Sequence, residues 1–341
     1  MCQEEARDVR MSTQAPAHKS SRTLGYLLAV LAGCLWASFV VIGRLLAATA
    51  VDPLTIVTLR LATAFVILAG VLAVVDRRLL SFARRDLPLF LSYGLCQAAN
   101  FAFYFLAIKY TTGTTAVILM YTYPAFVAGL ARLFLGERLD RNKALALVCV
   151  LSGCFLVVGG WDPGALGYSP AGIAAGFAAP LGMAAASILG KRAVRRYSSW
   201  TVVLWGFGFG TLFLGAVVLA GPGTVQTIPG EVWVGILLAA LIPALAAHGL
   251  FTKALTYIEA TRASLAAGIE PVAGAVLAWL FLGERLGAVQ WLGAAAVLTG
   301  VISIQATDLG RRSAHPGQGG AAAGGSKTGA GLRPADERWS S

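Results

Sequence analysis

Apolar residues in this chain gather into ten runs separated by short polar or glycine-rich breaks. They fall at about 24–43, 53–75, 87–108, 113–135, 143–160, 170–190, 200–220, 231–256, 261–282 and 287–305. Each run is close to the ~20 residues a helix needs to cross a hydrocarbon layer of ~30 Å. No water is available there to satisfy backbone amides, so each run closes its own hydrogen bonds as a helix. The predicted fold is therefore an all-α polytopic membrane protein with ten transmembrane helices. The first run is longer than the apolar stretch of a secretory signal, although Ala48-Thr49-Ala50 resembles a cleavage site, and it counts as a helix.

The ten runs are two copies of five. Leu133-Phe134-Leu135-Gly136-Glu137-Arg138-Leu139 returns letter for letter as Leu280-Phe281-Leu282-Gly283-Glu284-Arg285-Leu286, an offset of 147 residues. The same offset aligns Gly25 with Gly172, Gly43 with Gly190, Tyr110 with Tyr257, Thr114 with Thr261, Pro124 with Pro271 and Gly153 with Gly300, without a gap. A period of this length marks a duplicated domain, with a first repeat at 23–160 and a second at 170–306. Five spans per copy is an odd number, so the second copy must enter the membrane upside down.

Charge in the connections orients the bundle. The connections after the second, fourth, sixth and eighth runs hold twelve lysines and arginines, whereas those after the odd-numbered runs hold Arg44, Lys109 and Arg285 alone. That bias predicts both termini in the cytoplasm. Inverted halves of this kind enclose a midplane site and expose it to each side in turn.

Composition agrees with the pattern. The chain is 57% hydrophobic and 13% charged, against about 25% charged in a soluble domain. The net charge of +11 would suggest nucleic acid in a soluble protein; here it follows from the basic connections, and no nucleic-acid partner is expected. Residues 1–22 and 310–341 are polar or low in complexity and are expected to be disordered cytoplasmic tails. Of the five cysteines, Cys34, Cys96, Cys149 and Cys154 lie in apolar runs and Cys2 in the tail. With no C-x-x-C pair or cysteine/histidine cluster they read as small core residues, and no metal or other cofactor is expected.

Ten spans in two halves, a proline amid the fourth helix of each half (Pro124, Pro271), and the twice-repeated Leu-Gly-Glu-Arg-Leu ending together resemble the EamA-type members of the drug/metabolite transporter superfamily. The resemblance covers about residues 22–306. It implies a plasma-membrane carrier that exports amino acids or other small metabolites, often coupled to protons. The partners it implies are a small-molecule substrate and the lipid bilayer, with protons and a second copy of the chain as further candidates.

Ionisable groups inside a bilayer cost roughly 2.5–3.5 kcal/mol on insertion scales and are functional candidates by default. Glu270 is the acidic residue in the middle of a run, directly before Pro271. The proline offers no N–H to the carbonyl four residues earlier, leaving a break beside the carboxyl group, a place to bind and release protons or to pair with an amine. Arg60 could meet Glu270 or a substrate carboxylate, or lock its own helix to a neighbour; its repeat counterpart is Phe207. His248, whose counterpart is Phe101, could exchange protons near neutral pH. Asn100 and Gln97, three residues apart, share a helix face and offer donors and acceptors to a cavity or to another helix.

Trp36, Tyr104, Tyr121 and Tyr123 add aromatic faces with one polar handle each, the last two beside the Pro124 helix break. Trp161, Trp200 and Trp233 fall at run ends and read as interfacial anchors. Glu137/Arg138 and Glu284/Arg285, on opposite faces, follow Gly136 and Gly283, which are expected to end their helices.

The expected architecture is a cavity formed by the first to fourth and sixth to ninth helices, with the fifth and tenth at the periphery. The expected function is outward transport of a small polar or amphipathic metabolite. Uptake and efflux of hydrophobic cations are the competitors within transport. A membrane enzyme lacks a metal-ligand cluster, a nucleophile elbow or paired carboxylates to work with, and a sensor lacks an output domain.

Overall fold

A computed structural model describes residues 15–167, 169–221, 228–283 and 285–313. Within them lie ten helices long and apolar enough to cross a membrane: α1 (Ser21–Ala47), α2 (Pro53–Val75), α3 (Arg84–Tyr110), α4 (Gly113–Leu135), α5 (Arg141–Val158), α6 (Pro170–Ala193), α7 (Ser199–Ala220), α8 (Gly230–Tyr257), α9 (Ala260–Leu282) and α10 (Ala288–Ala306). Helical backbone already begins at Ala15, inside the stretch expected as tail, and continues after α10 to Ser313. Residues 1–14 and 314–341, with most of both expected tails and Cys2, lie outside the described residues, as does Glu284.

Local chemistry sets the ends. Asp52 accepts from Thr55 N at 2.9 Å ahead of Pro53, Asp140 accepts from Lys143 N at 3.0 Å, and Thr112 and Ser169 cap α4 and α6 in the same way. Gly136 and Gly283, repeat mates, both adopt φ 70° and end α4 and α9; Gly159 (φ 86°) ends α5. A Cβ is disfavoured in that left-handed conformation, which is why both copies of the seven-residue motif hold glycine there.

The duplication is visible in the backbone. Helix α4 breaks between Gly113–Met120 and Tyr123–Leu135, and α9 between Ala260–Ala267 and Glu270–Leu282, the same positions at an offset of 147. Pro124 and Pro271 sit in the first turn of the second segments, where a missing N–H is tolerated. Two departures from symmetry stand out. Helix α1 is interrupted at Ser38, while α6 runs unbroken, and α8 carries a π-helical stretch, Ala240–Ala246, around Pro243.

Helices α5 and α10 pack chiefly on each other, as expected for the periphery. Their crossing is backbone to backbone: a Cβ on Gly153 would lie 2.7 Å from the Gly293 carbonyl oxygen, and one on Gly300 would lie 2.9 Å from that of Ala146. The outer surface is apolar, with Val74, Leu133 and Leu219 largely exposed, as a lipid-facing belt requires. Trp161, Trp200 and Trp233 are exposed near the ends of their spans.

Candidate functional site

A cavity of about 180 Å³ lies in the bundle interior. Eight of the residues singled out in the sequence line it: Trp36, Arg60, Asn100, Tyr104, Tyr121, Tyr123, His248 and Glu270. The lining comes from α1, α2, α3, α4, α6, α8 and α9. Helix α7, expected among the walls, contributes no lining residue; its Phe207 stands behind His248 with ring centroids 5.5 Å apart. Gln97 also stays out. It is 1% exposed and faces α7, where a Cβ on Gly210 would come within 3.9 Å of its own Cβ.

Both symmetry departures deliver residues to this cavity. The break at Ser38 precedes Phe39, and the π-helical stretch contains Pro243, both lining residues. Pro243 was not singled out as a site residue in the sequence, although a proline inside an apolar run is the signal that could have found it.

Arg60 is 5% exposed, and its guanidinium carbon lies 4.9 Å from the ring centroids of both Phe39 and Phe101. Its Nε has no hydrogen-bond partner, and no carboxylate of the described residues lies within ion-pair distance. A buried donor left this way costs about 1–3 kcal/mol, more when charged. The repeat mates of Arg60 and Phe101 are Phe207 and His248, which also touch, so one contact recurs with different chemistry in each half.

Glu270 opens the second segment of α9 beside Pro271 and makes no hydrogen bond or ion pair among the described residues. Arg60 and Glu270 therefore face one cavity without pairing. Its own repeat mate is Tyr123, which is 3% exposed and donates to the Ser264 carbonyl at 3.0 Å.

His248 is committed at one nitrogen. Nδ1 lies 3.1 Å from Trp36 Nε1, 3.1 Å from the Ala244 carbonyl and 3.2 Å from that of Pro243. Indole N–H only donates and a carbonyl only accepts, so Nδ1 serves Trp36 when it is unprotonated and the carbonyls when it carries hydrogen. Asn100 donates through Nδ2 to the Ala179 carbonyl at 2.9 Å, tying α3 to α6 at the cavity wall.

Most of the lining residues lie in the halves of their spans away from the basic connections, with Met183, His248 and Glu270 just past the middle; nearer those connections the helix ends are tied together. There Glu137 accepts from Ala260 N (2.7 Å), Thr261 N (3.1 Å) and Thr261 Oγ1 (2.6 Å), capping α9 from the end of α4. Gly136 ends its helix as expected, and the adjoining carboxylate caps a different one. Lys143 bridges the Arg138 carbonyl and Glu259, both at 2.8 Å, and Arg262 joins Glu259 at 2.6 Å. The Glu284/Arg285 copy of this feature has its acidic member outside the described residues.

The two faces differ in packing as well. Ala260–Ala267 packs on Tyr123–Leu135, while the mirror-related pair, Gly113–Met120 and Glu270–Leu282, is at most in marginal contact. No group of three or more histidine, cysteine or acidic residues suited to a metal occurs among the described residues, and Cys34, Cys96, Cys149 and Cys154 are free thiols.

A family model described as the EamA-like transporter family matches residues 23–159 and again 170–305. An uncharacterised transporter of Archaeoglobus fulgidus is 28% identical over 233 residues, 68% of this chain and 82% of the relative. The pseudopaline exporter CntI of Pseudomonas aeruginosa is 27% identical over 232 residues, 67% of this chain and 79% of its own. The riboflavin transporter of Rhizobium johnstonii is 28% identical over 207 residues, 59% of this chain and 64% of the relative. A crystal structure superposes with a TM-score of 0.73 across 85% of this chain and 98% of that chain at 18% identity, a likeness of fold.

Proposed function

The chain belongs to the EamA-like transporter family, and from that premise we propose that it exports a small metabolite, an amino acid or related amine, across the plasma membrane by alternating access. Glu270 is the proton or amine site. The observation that carries the proposal is the position of this carboxyl group: it is unpaired, faces the cavity, and stands at the break that the two halves share. With the basic connections in the cytoplasm, both termini are cytoplasmic and the cavity belongs to the outer half of the membrane. A relative named as an exporter favours the outward direction.

Internal symmetry supplies a coupling mechanism. Alternating access in an inverted repeat exchanges the roles of the two halves. Tyr123 now ties the closed side to the Ser264 carbonyl; the repeat mates of this pair are Glu270 and Val117. Closing the other side by the same motion brings Glu270 to the Val117 carbonyl. That carbonyl accepts from Tyr121 N at 3.0 Å, just as Ser264 accepts from Gly268 N at 3.1 Å. A carboxylate and a carbonyl are both acceptors, so the contact forms when Glu270 carries a proton or when an ammonium group donates to both. Closure thus depends on what Glu270 holds.

Efflux of hydrophobic cations fits the aromatic lining but conflicts with Arg60 in the same wall. The cavity of about 180 Å³ is also smaller than the ~300 Å³ at which drug-sized sites begin. The test is metabolite profiling of the medium of cells overproducing the protein or its Glu270→Gln variant, followed by transport in proteoliposomes across a pH range. Accumulation of a defined amine outside the parent cells alone supports export. Unchanged pH dependence in Glu270→Gln removes Glu270 as the coupling group.

A further inference from the structure

We propose that the cavity is built for a zwitterion, with Arg60 taking the carboxylate and Glu270 the ammonium group. The proposal rests on the amine-export reading for the role of Glu270 and adds a second anchor to it. Arg60 is nine-tenths buried, lines the cavity and has an Nε without a partner. Phe39 and Phe101 stabilise its charge through their ring faces but give its N–H groups nothing to donate to. A guanidinium held in this way keeps its fork for a planar acceptor with two oxygens, which is the geometry of a carboxylate.

Neither charge is explained by the other. Glu270 stands on α9 and Arg60 on α2, and no ion pair joins them across the space they share. A ligand that was only a cation would satisfy Glu270 and leave Arg60 bare, and a simple anion would do the reverse. A zwitterion compensates both charges while carrying no net charge of its own into an apolar chamber. Val57, Val117, Met120 and Met183 supply walls for its apolar body. The hydroxyls of Tyr104 and Tyr121, which have no hydrogen-bond partner among the described residues, remain for further polar contact.

The experiment uses the full chain in lipid nanodiscs and titrates the common L-amino acids by calorimetry. The tightest binder is then compared with its methyl ester, which keeps the amine, and with its des-amino acid, which keeps the carboxylate. Both analogues are expected to bind about tenfold or more weakly to the native protein. Arg60→Gln should bring the ester level with the amino acid, Glu270→Gln should do the same for the des-amino acid, and Arg60→Lys should fall between. An ester that binds native protein as tightly as the zwitterion overturns the assignment of Arg60, and failure of every amino acid to bind overturns the zwitterion. Because the analogue comparison is made on native protein, it stands even if a variant does not fold. An ester that binds and is transported as well as its amino acid leaves amine export intact. Zwitterion binding without transport in proteoliposomes leaves the site intact and sinks export.

Discussion

Tyr123 donates its hydroxyl hydrogen to the carbonyl of Ser264 at 3.0 Å, joining the second segment of α4 to the first segment of α9 across 141 residues of sequence. The carbonyl also accepts from Gly268 N, so it keeps a partner if the hydroxyl is removed. Tyr123→Phe should therefore cost about the 0.5–1.5 kcal/mol of one net hydrogen bond. Under the proposed alternating access this bond holds the basic face closed, so the variant should shift the population roughly two- to tenfold toward opening on that side. Spin-label distances between the α4–α5 and α8–α9 connections would register the shift. An unchanged distribution would show that this bond does not hold that side closed.

Glu137 closes the same side by a different device. Its two oxygens take the N–H groups of Ala260 and Thr261 and the Thr261 hydroxyl, satisfying the otherwise unpaired start of α9. Glu137→Ala is expected to cost about 1–2 kcal/mol, as for loss of a helix cap, and to lower the midpoint of thermal unfolding in detergent. Glu137→Gln retains one acceptor and should fall between. Equal midpoints for all three proteins would refute the capping role.

These two contacts show where the sequence was legible and where it was not. The expected spans at 53–75 and 113–135 coincide with α2 and α4, because bilayer thickness and hydrogen-bond closure act on local composition. The breaks in α4 and α9 were readable from Pro124 and Pro271, and the inversion from the odd number of spans. What the sequence could not supply was helix rotation. Gln97 and Asn100 share a face at a spacing of three, yet only Asn100 reaches the cavity, because a few tens of degrees of rotation turn Gln97 into α7. Nor could the sequence show that Glu137 caps a helix 123 residues away, or that Phe39 and Phe101 would meet Arg60. These are facts of packing between distant segments, not of periodicity.

Glu259, in the connection between α8 and α9, gives a pH dependence with a defined sign. Burial would raise its pKa, but hydrogen bonds from Lys143 and Arg262 outweigh that and hold the carboxyl group below its usual value of 4.5. A carboxyl group with a depressed folded-state value stabilises the protein above its unfolded-state value. That contribution is lost as pH falls through the lower, folded-state value. The native protein should therefore lose more of its thermal midpoint than Glu259→Gln when pH falls from neutral to below about 4. The effect should be modest, because the Glu259 side chain is 41% exposed and salt screens it. Parallel pH profiles for the two proteins would show that the network contributes nothing.

Gly33 tests whether the break in α9 must lie tight against α1. A Cβ on Gly33 would come 2.5 Å from the Ala267 carbonyl oxygen and 2.9 Å from Ile269 Cγ2. Ala267 is the residue four before Pro271, whose missing N–H cannot serve that carbonyl. The obstacle is backbone, so Gly33→Ala must move α1 away from the segment that presents Glu270. Overpacking of this kind costs about 1–3 kcal/mol, more than the ~0.5–1 kcal/mol that alanine gains over glycine within a helix. Net destabilisation and a lower transport rate are expected. Gly70→Ala is the matched control, since a Cβ there has nothing within 4 Å and Gly70 lies on the exposed side of α2. It should leave transport unchanged and raise the thermal midpoint slightly. If the two alanine variants behave alike, close contact between α1 and the broken segment of α9 is not required for transport.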